Sequence, residues 1–160
     1  YDTSGIVTND RGVTVWLKGN RVSRNQIMAI KEESVTEQKN SLAVCLDNIL
    51  RHAGITRNTE YDLAQGKTAT TILSENMTGV QVLDLSGCTL DAVLYYVNQD
   101  IPVLAILDDG EAVLVTGFNE FNVVIMEPST GKLYKKGMND ATAWFAENGN
   151  HFITYMRTEN

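Results

Sequence analysis

Two cysteines and two histidines are the residues of this 160-residue chain whose types could support thiol chemistry. A cysteine acts as a nucleophile when it is a thiolate, which a neighbouring histidine can stabilise. Cys45 lies within an apolar run at the three- and four-residue steps of a helix, where burial raises the pKa of a thiol and suppresses its reactivity. Cys88 stands just before a predicted helix, whose amides could lower the pKa of its thiol. A core position is favoured for Cys45 and a cap or packing position for Cys88.

The two histidines differ in what their positions predict. His52 falls at the carboxyl end of the same predicted helix as Cys45, where the helix dipole favours a cation, so a helix-end role outranks catalysis. His151 opens the last predicted strand, and it is the histidine that could fold toward the start of that helix. A thiolate and imidazole pair would therefore have to combine Cys45 or Cys88 with His151.

An acidic group of Asp108, Asp109 and Glu111 lies in a turn that also contains a glycine. Its spacing does not match a calcium-binding loop, and carboxylates in such turns are usually solvated. The two cysteines and two histidines show no paired spacing typical of zinc sites. The sequence therefore predicts neither a metal nor another cofactor.

Composition restricts the classes of partner. The formal net charge is -7, and Lys135 and Lys136 form the largest basic cluster, so a nucleic-acid partner is not expected. The chain has no run of about 18 apolar residues and no amino-terminal secretion signal, so membrane insertion is not expected either. The sequence begins at a tyrosine, in a stretch whose pattern is typical of a strand or a turn, so we expect it to be excised from a longer protein. As an isolated domain, we expect it to be a monomer.

Hydrophobic periodicity indicates an α+β domain. A small strand and turn element is predicted in residues 1–30, and a single domain in residues 31–160, with a helical part at about 41–100 and a sheet part at about 101–160. A central buried helix begins at Ser41 and is closed by Gly54, and Thr89 can cap a later helix. Helices first and strands afterwards indicate a helix packed on an antiparallel sheet.

Three strings carry a resemblance to a known family. They are NSLAVCLDNILRHAG at 40–54, LDAVLYYVNQDIPVLAIL at 90–107 and GEAVLVTGFNEFNVVIMEPSTG at 110–131. In order and spacing they resemble the catalytic helix, the helix leading into a Pro-Val strand, and the histidine-bearing hairpin of the bacteriocin-processing cysteine peptidases, which cleave double-glycine leaders. The resemblance covers about residues 35 to 130 and implies a papain-like cysteine peptidase fold.

The positions that carry catalysis in that family hold other residues here. Ser41 stands where the resemblance places the nucleophilic cysteine, Glu111 where it places the histidine, and Glu127 where it places the aspartate that orients the histidine. The glutamine of the oxyanion hole would fall near Val35, and Gln38 is displaced from that place by three residues. A hydroxyl needs an adjacent base to act as a nucleophile, so the resemblance implies a catalytically degenerate domain.

The expected function is therefore that of a pseudo-peptidase. We expect a non-catalytic domain of an exported bacterial protein, at the cell surface or outside the cell, that binds a peptide or protein segment or packs against other domains of its chain. Two alternatives stay open at this point. One is an active thiol peptidase using Cys45 or Cys88 with His151, and the other is a structural spacer without a ligand.

Overall fold

The computed structural model describes residues 40–158. The expected strand and turn element of residues 1–30 and the positions of Val35 and Gln38 lie outside the described residues. The helices are α1 Ser41–His52, α2 Glu60–Ala64, α3 Ala69–Asn76, α4 Leu90–Val97 and α5 Met138–Glu147. The strands are β1 Val80–Asp84, β2 Val103–Ile106, β3 Ala112–Phe118, β4 Asn122–Glu127, β5 Lys132–Gly137 and β6 Phe152–Arg157.

All six described strands form one antiparallel sheet in the order β1-β6-β2-β3-β4-β5. The four strands from β2 to β5 follow one another as a meander, and β6 returns to pair with both β1 and β2. Strand β1 lies within residues 41–100, which are otherwise helical, and helix α5 lies within residues 101–160, which otherwise form strands. The α+β class with a helix on an antiparallel sheet is confirmed.

Alternate residues of the strands face two separate cores, as the two-residue period of a strand requires. The α1-side core lies between the sheet and α1 with α3, and it includes Cys45, Leu46, Ile49, Leu50, Ile72, Leu73, Leu104, Leu114, Met126, Ile153 and Tyr155. The α4-side core lies on the opposite face and includes Leu90, Val93, Val103, Ala105, Val113, Val115, Ile125, Phe145 and Phe152. The sheet is thus covered by helices on both faces, and each fully buried leucine contributes roughly 1.5–3 kcal/mol through its removal from water.

Helix α1 begins and ends where the sequence predicts. The side chain of Asn40 caps its start by accepting a hydrogen bond from the amide of Leu42 at 2.8 Å. Its apolar stripe faces the α1-side core, which fixes its rotation over strands β2 and β3. No helix within residues 40–158 is long and apolar enough to cross a membrane.

The carboxyl end of α1 is tied to the loop before β2. The Nε2 atom of His52 donates to the carbonyl oxygen of Asp100 at 3.1 Å and lies 3.5 Å from the carboxylate of the same residue. Asp100 adopts a left-handed backbone with a φ of 67°. Its hydrogen bond and charge raise the pKa of His52 above the ordinary value, while burial of the ring opposes this.

We expect stability to depend on pH through this pair. Because the folded-state pKa of His52 lies above its unfolded value of 6.5, its contribution is fully present below that value and is lost as the pH rises through the folded pKa. Asp100→Asn keeps a residue type that tolerates positive φ but removes the charge. Guanidinium unfolding between about pH 6 and pH 8 should show a steeper decline for the wild type than for Asp100→Asn, and equal slopes would contradict the assignment.

Candidate functional site

Ser41 lies at the first position of α1 and is half-buried. Its hydroxyl oxygen accepts a hydrogen bond from the backbone N–H of Ala112 at 2.9 Å. This contact joins the start of α1 to the start of β3, across 71 positions of the chain. The start of α1 is therefore in direct contact with the start of β3, which follows Glu111.

Glu111 immediately precedes β3 and is exposed. Its backbone N–H donates to the carboxylate of Asp109 at 3.0 Å, and its carbonyl accepts from the amide of Leu107 at 2.7 Å. These bonds close the turn between β2 and β3. Since the next residue, Ala112, contacts Ser41, the structure places Glu111 and Ser41 at the same edge of the sheet.

Glu127 is the last residue of β4, the strand that pairs with β3. One carboxylate oxygen accepts from both the backbone N–H and the hydroxyl of Ser129, each at 3.0 Å. This arrangement holds the turn that leads into β5. The carboxylate also lies close enough to α1 for its charge to help raise the pKa of Cys45, after the larger effect of burial.

The two histidines lie away from Ser41. His52 is at the opposite end of α1, about 17 Å along the helix axis. The carbonyl of His151 accepts from the amide of Ile106 at 3.0 Å, so His151 stands beside the end of β2, and its side chain is exposed. Two strand spacings, roughly 10 Å, separate its strand from β3. Neither imidazole is placed as a base for the hydroxyl of Ser41.

The two thiols lie on opposite faces of the sheet. Cys45 is fully buried in the α1-side core, as predicted, and burial is the largest cause of a pKa well above the ordinary value. Cys88 is half-buried and packs against the α4-side core, with its amide bonded to the carbonyl of Leu85 at 3.0 Å. The geometry supports a packing role for both thiols. Cys88 is the nearer of the two to His151 along the backbone, because the amide of Gly87 donates to the carbonyl of Asn150 at 2.8 Å.

The acidic turn shows the solvated arrangement that its sequence predicts. Asp109 accepts from the amide of Glu111, and the amide of Asp108 donates to the side-chain oxygen of Asn148 at 2.9 Å. Within the described part of the chain, no group of three or more histidine, cysteine and carboxylate residues could hold a metal ion.

The comparisons with known proteins bear on the fold. No family profile matches the sequence, and no curated protein matches it either. The crystal structure of a candidate C39-like peptidase from Bacillus anthracis is similar to this chain, with a TM-score of 0.67 and 12% sequence identity. The match covers 84% of this chain and 98% of that one. With its helix-covered antiparallel sheet, the chain has the papain-like fold of a C39-like peptidase.

Proposed function

We propose that this chain is a non-catalytic, peptidase-like domain of an exported bacterial protein, which binds a peptide segment or packs against neighbouring domains. The observation that carries the proposal is the hydrogen bond from the amide of Ala112 to the hydroxyl oxygen of Ser41. A serine nucleophile must pass its proton to a base. The hydroxyl of Ser41 instead accepts from a backbone N–H. The resemblance places the family's catalytic base at Glu111, which carries a carboxylate instead of an imidazole.

The electrostatics of this edge also disfavour catalysis. Carboxylates are far weaker bases than imidazole. The nearby charge of Glu127 raises the pKa of the Cys45 thiol one turn further along α1, so negative charge at this edge would oppose a thiolate as well. The carboxylate of Glu127 is itself engaged by Ser129. These groups suit turn formation and recognition better than proton transfer.

The same edge suggests what kind of peptide would bind. Asp108, Asp109 and Glu111 are exposed there, and their carboxylates complement lysine and arginine side chains. Ser41, at the start of α1, is partly exposed near them. A basic peptide segment, from another domain or another protein, fits this surface, whereas nucleic acid is disfavoured by the net charge of -7.

The proposal predicts no peptidase activity in the wild type. Turnover of a broad peptide library should stay at background for the wild type, for Ser41→Cys and for Ser41→Cys combined with Glu111→His. The double variant can form a thiolate and imidazolium pair, but a missing oxyanion donor alone costs on the order of a hundredfold or more, and triad members act as a unit. Wild-type turnover abolished by a thiol-directed inhibitor would overturn the proposal and favour Cys45 or Cys88 with His151.

Binding is tested separately with labelled peptides rich in lysine and arginine, followed by fluorescence anisotropy. Glu111→Lys should weaken binding by severalfold, because it reverses a charge at the proposed surface. Glu120→Lys is the matched control, since it makes the same charge change in the exposed β3–β4 turn at the other edge of the sheet. Equal effects of the two variants, or no binding by any peptide, would reject peptide recognition here and leave a spacer.

A further inference from the structure

A concave surface lies at the carboxyl end of α1, away from Ser41. It is an open pocket of about 550 Å³, bounded by the end of α1, the approach to β1 and the end of β6. Its apolar lining includes Ile55 and Met77, and its polar lining is formed mainly by His52, Asp100, Tyr155 and Arg157. This volume lies within the range of small-molecule sites, about 300–1,000 Å³.

Tyr155 is a buried tyrosine at the wall of this pocket. Its side chain is packed in the α1-side core and the residue is only 3% exposed. Among the described residues its hydroxyl has no hydrogen-bond partner, which is unusual for a buried polar group. Burial raises the pKa of Tyr155 most, the charge of Arg157 lowers it, and the charge of Asp100 raises it. The hydroxyl therefore faces the charged wall of the pocket.

Two basic side chains and one carboxylate, those of His52, Arg157 and Asp100, form that wall. The carboxylate of Asp100 is paired with His52 at 3.5 Å. Arg157 donates through Nη1 to the carbonyl oxygen of Gln99 at 3.1 Å, which positions its guanidinium at the pocket. No carboxylate in residues 40–158 forms an ion pair with Arg157, and its other N–H groups remain available as donors.

From this geometry we propose that the pocket binds a single carboxylate carried on an apolar group, with Arg157 and the hydroxyl of Tyr155 as donors to the carboxylate. Ile55 and Met77 contact the apolar group. A dianion such as phosphate would meet the carboxylate of Asp100 with only one free cation to balance it. The ligand chemistry is shared by a peptide that ends in an apolar residue and by a free acyl amino acid. The proposal does not depend on the function proposed for the edge that carries Ser41.

The first test measures binding to the full chain by titration calorimetry and by NMR shifts of the pocket residues. The probes are N-acetyl-leucine, N-acetyl-leucinamide, acetate, and a short peptide ending in leucine with a free or an amidated carboxyl terminus. N-acetyl-leucine or the free-acid peptide should bind, while both amides and acetate should bind at least about tenfold more weakly. A preference between the two carboxylates tells which source the pocket takes. No binding by either carboxylate, or equal binding by the amides, would overturn the proposal.

The second test separates recognition from structural support. Tyr155→Phe removes only the hydroxyl, and it should weaken carboxylate binding about tenfold or more while leaving the unfolding midpoint unchanged or higher, since the lost hydroxyl has no partner among residues 40–158. Arg157→Gln should weaken binding at least as much. Tyr61→Phe, at an exposed tyrosine of α2, is the matched control and should change neither property. A lower unfolding midpoint with unchanged affinity in Tyr155→Phe would assign the hydroxyl to the fold instead.

Discussion

In the native protein we expect a thiol reagent to modify Cys88 at least about a thousand times faster than Cys45. Cys45 is fully buried between α1 and the sheet, so the reagent reaches it only when the α1-side core opens. Opening a core costs most of the free energy of unfolding, roughly 5 kcal/mol or more, which leaves fewer than about one molecule in a thousand open. Burial, Glu127 and Asp47 also raise the pKa of the Cys45 thiol, which lowers its thiolate fraction.

The measurement uses two single-thiol variants, Cys45→Ser and Cys88→Ser, so that each rate belongs to one residue. Absorbance of the released thiolate gives the rate, and mass spectrometry confirms the site. In denaturant both thiols should react at similar rates, which shows that the difference comes from the fold. If Cys45 reacts in native buffer as fast as Cys88, its thiol is accessible, and a thiol peptidase using Cys45 becomes the better hypothesis.

Local patterns were sufficient to predict α1 and the capped start of α4. Apolar residues at steps of three and four predict a helix from Ser41 onward. Thr89 is predicted to cap α4, and its hydroxyl oxygen accepts a hydrogen bond from the amide of Ala92 at 3.4 Å, which confirms the cap. The order of strands could not be read in the same way. The insertion of β6 between β1 and β2 depends on contacts between residues about seventy positions apart, such as Val82 with Tyr155, and no local signal specifies such a pairing.

The candidate site was predicted by resemblance rather than by spacing. Three strings placed Ser41 and Glu111 near each other, and the contact between Ser41 and Ala112 bears out that juxtaposition. The pocket at the other end of α1 had no sequence signal. A tyrosine in a strand is predicted to pack in the core, and no local pattern indicates that the hydroxyl of Tyr155 has no hydrogen-bond partner within residues 40–158. The position of His52 predicts a role at a helix end, but no local pattern predicts its partner Asp100, which lies 48 positions further along the chain.

A further feature that the sequence conceals is a buried carboxylate on α1. An aspartate within an amphipathic helix reads as a surface residue, but Asp47 is only 7% exposed and faces the start of α2. One of its oxygens accepts from both the backbone N–H and the hydroxyl of Thr59, each at 2.7 Å. Thr59 is fully buried. This pair anchors the helix that carries Ser41 to the loop preceding α2.

We expect Asp47→Ala to lower the free energy of unfolding by about 2–4 kcal/mol, because it leaves the buried amide of Thr59 without its charged acceptor. Alanine is the stronger helix former by up to about 0.7 kcal/mol, so a loss of stability would come from the lost contacts of the Asp47 carboxylate, such as that with Thr59, and not from a lower helix propensity of α1. Asp47→Asn keeps an acceptor oxygen and should cost less than half as much. Guanidinium unfolding at neutral pH gives these values, with Glu147→Ala, an exposed carboxylate at the end of α5, as the control expected to change stability by less than about 0.5 kcal/mol. A loss for Asp47→Ala no larger than that of the control would mean that the contact with Thr59 does not stabilise the fold.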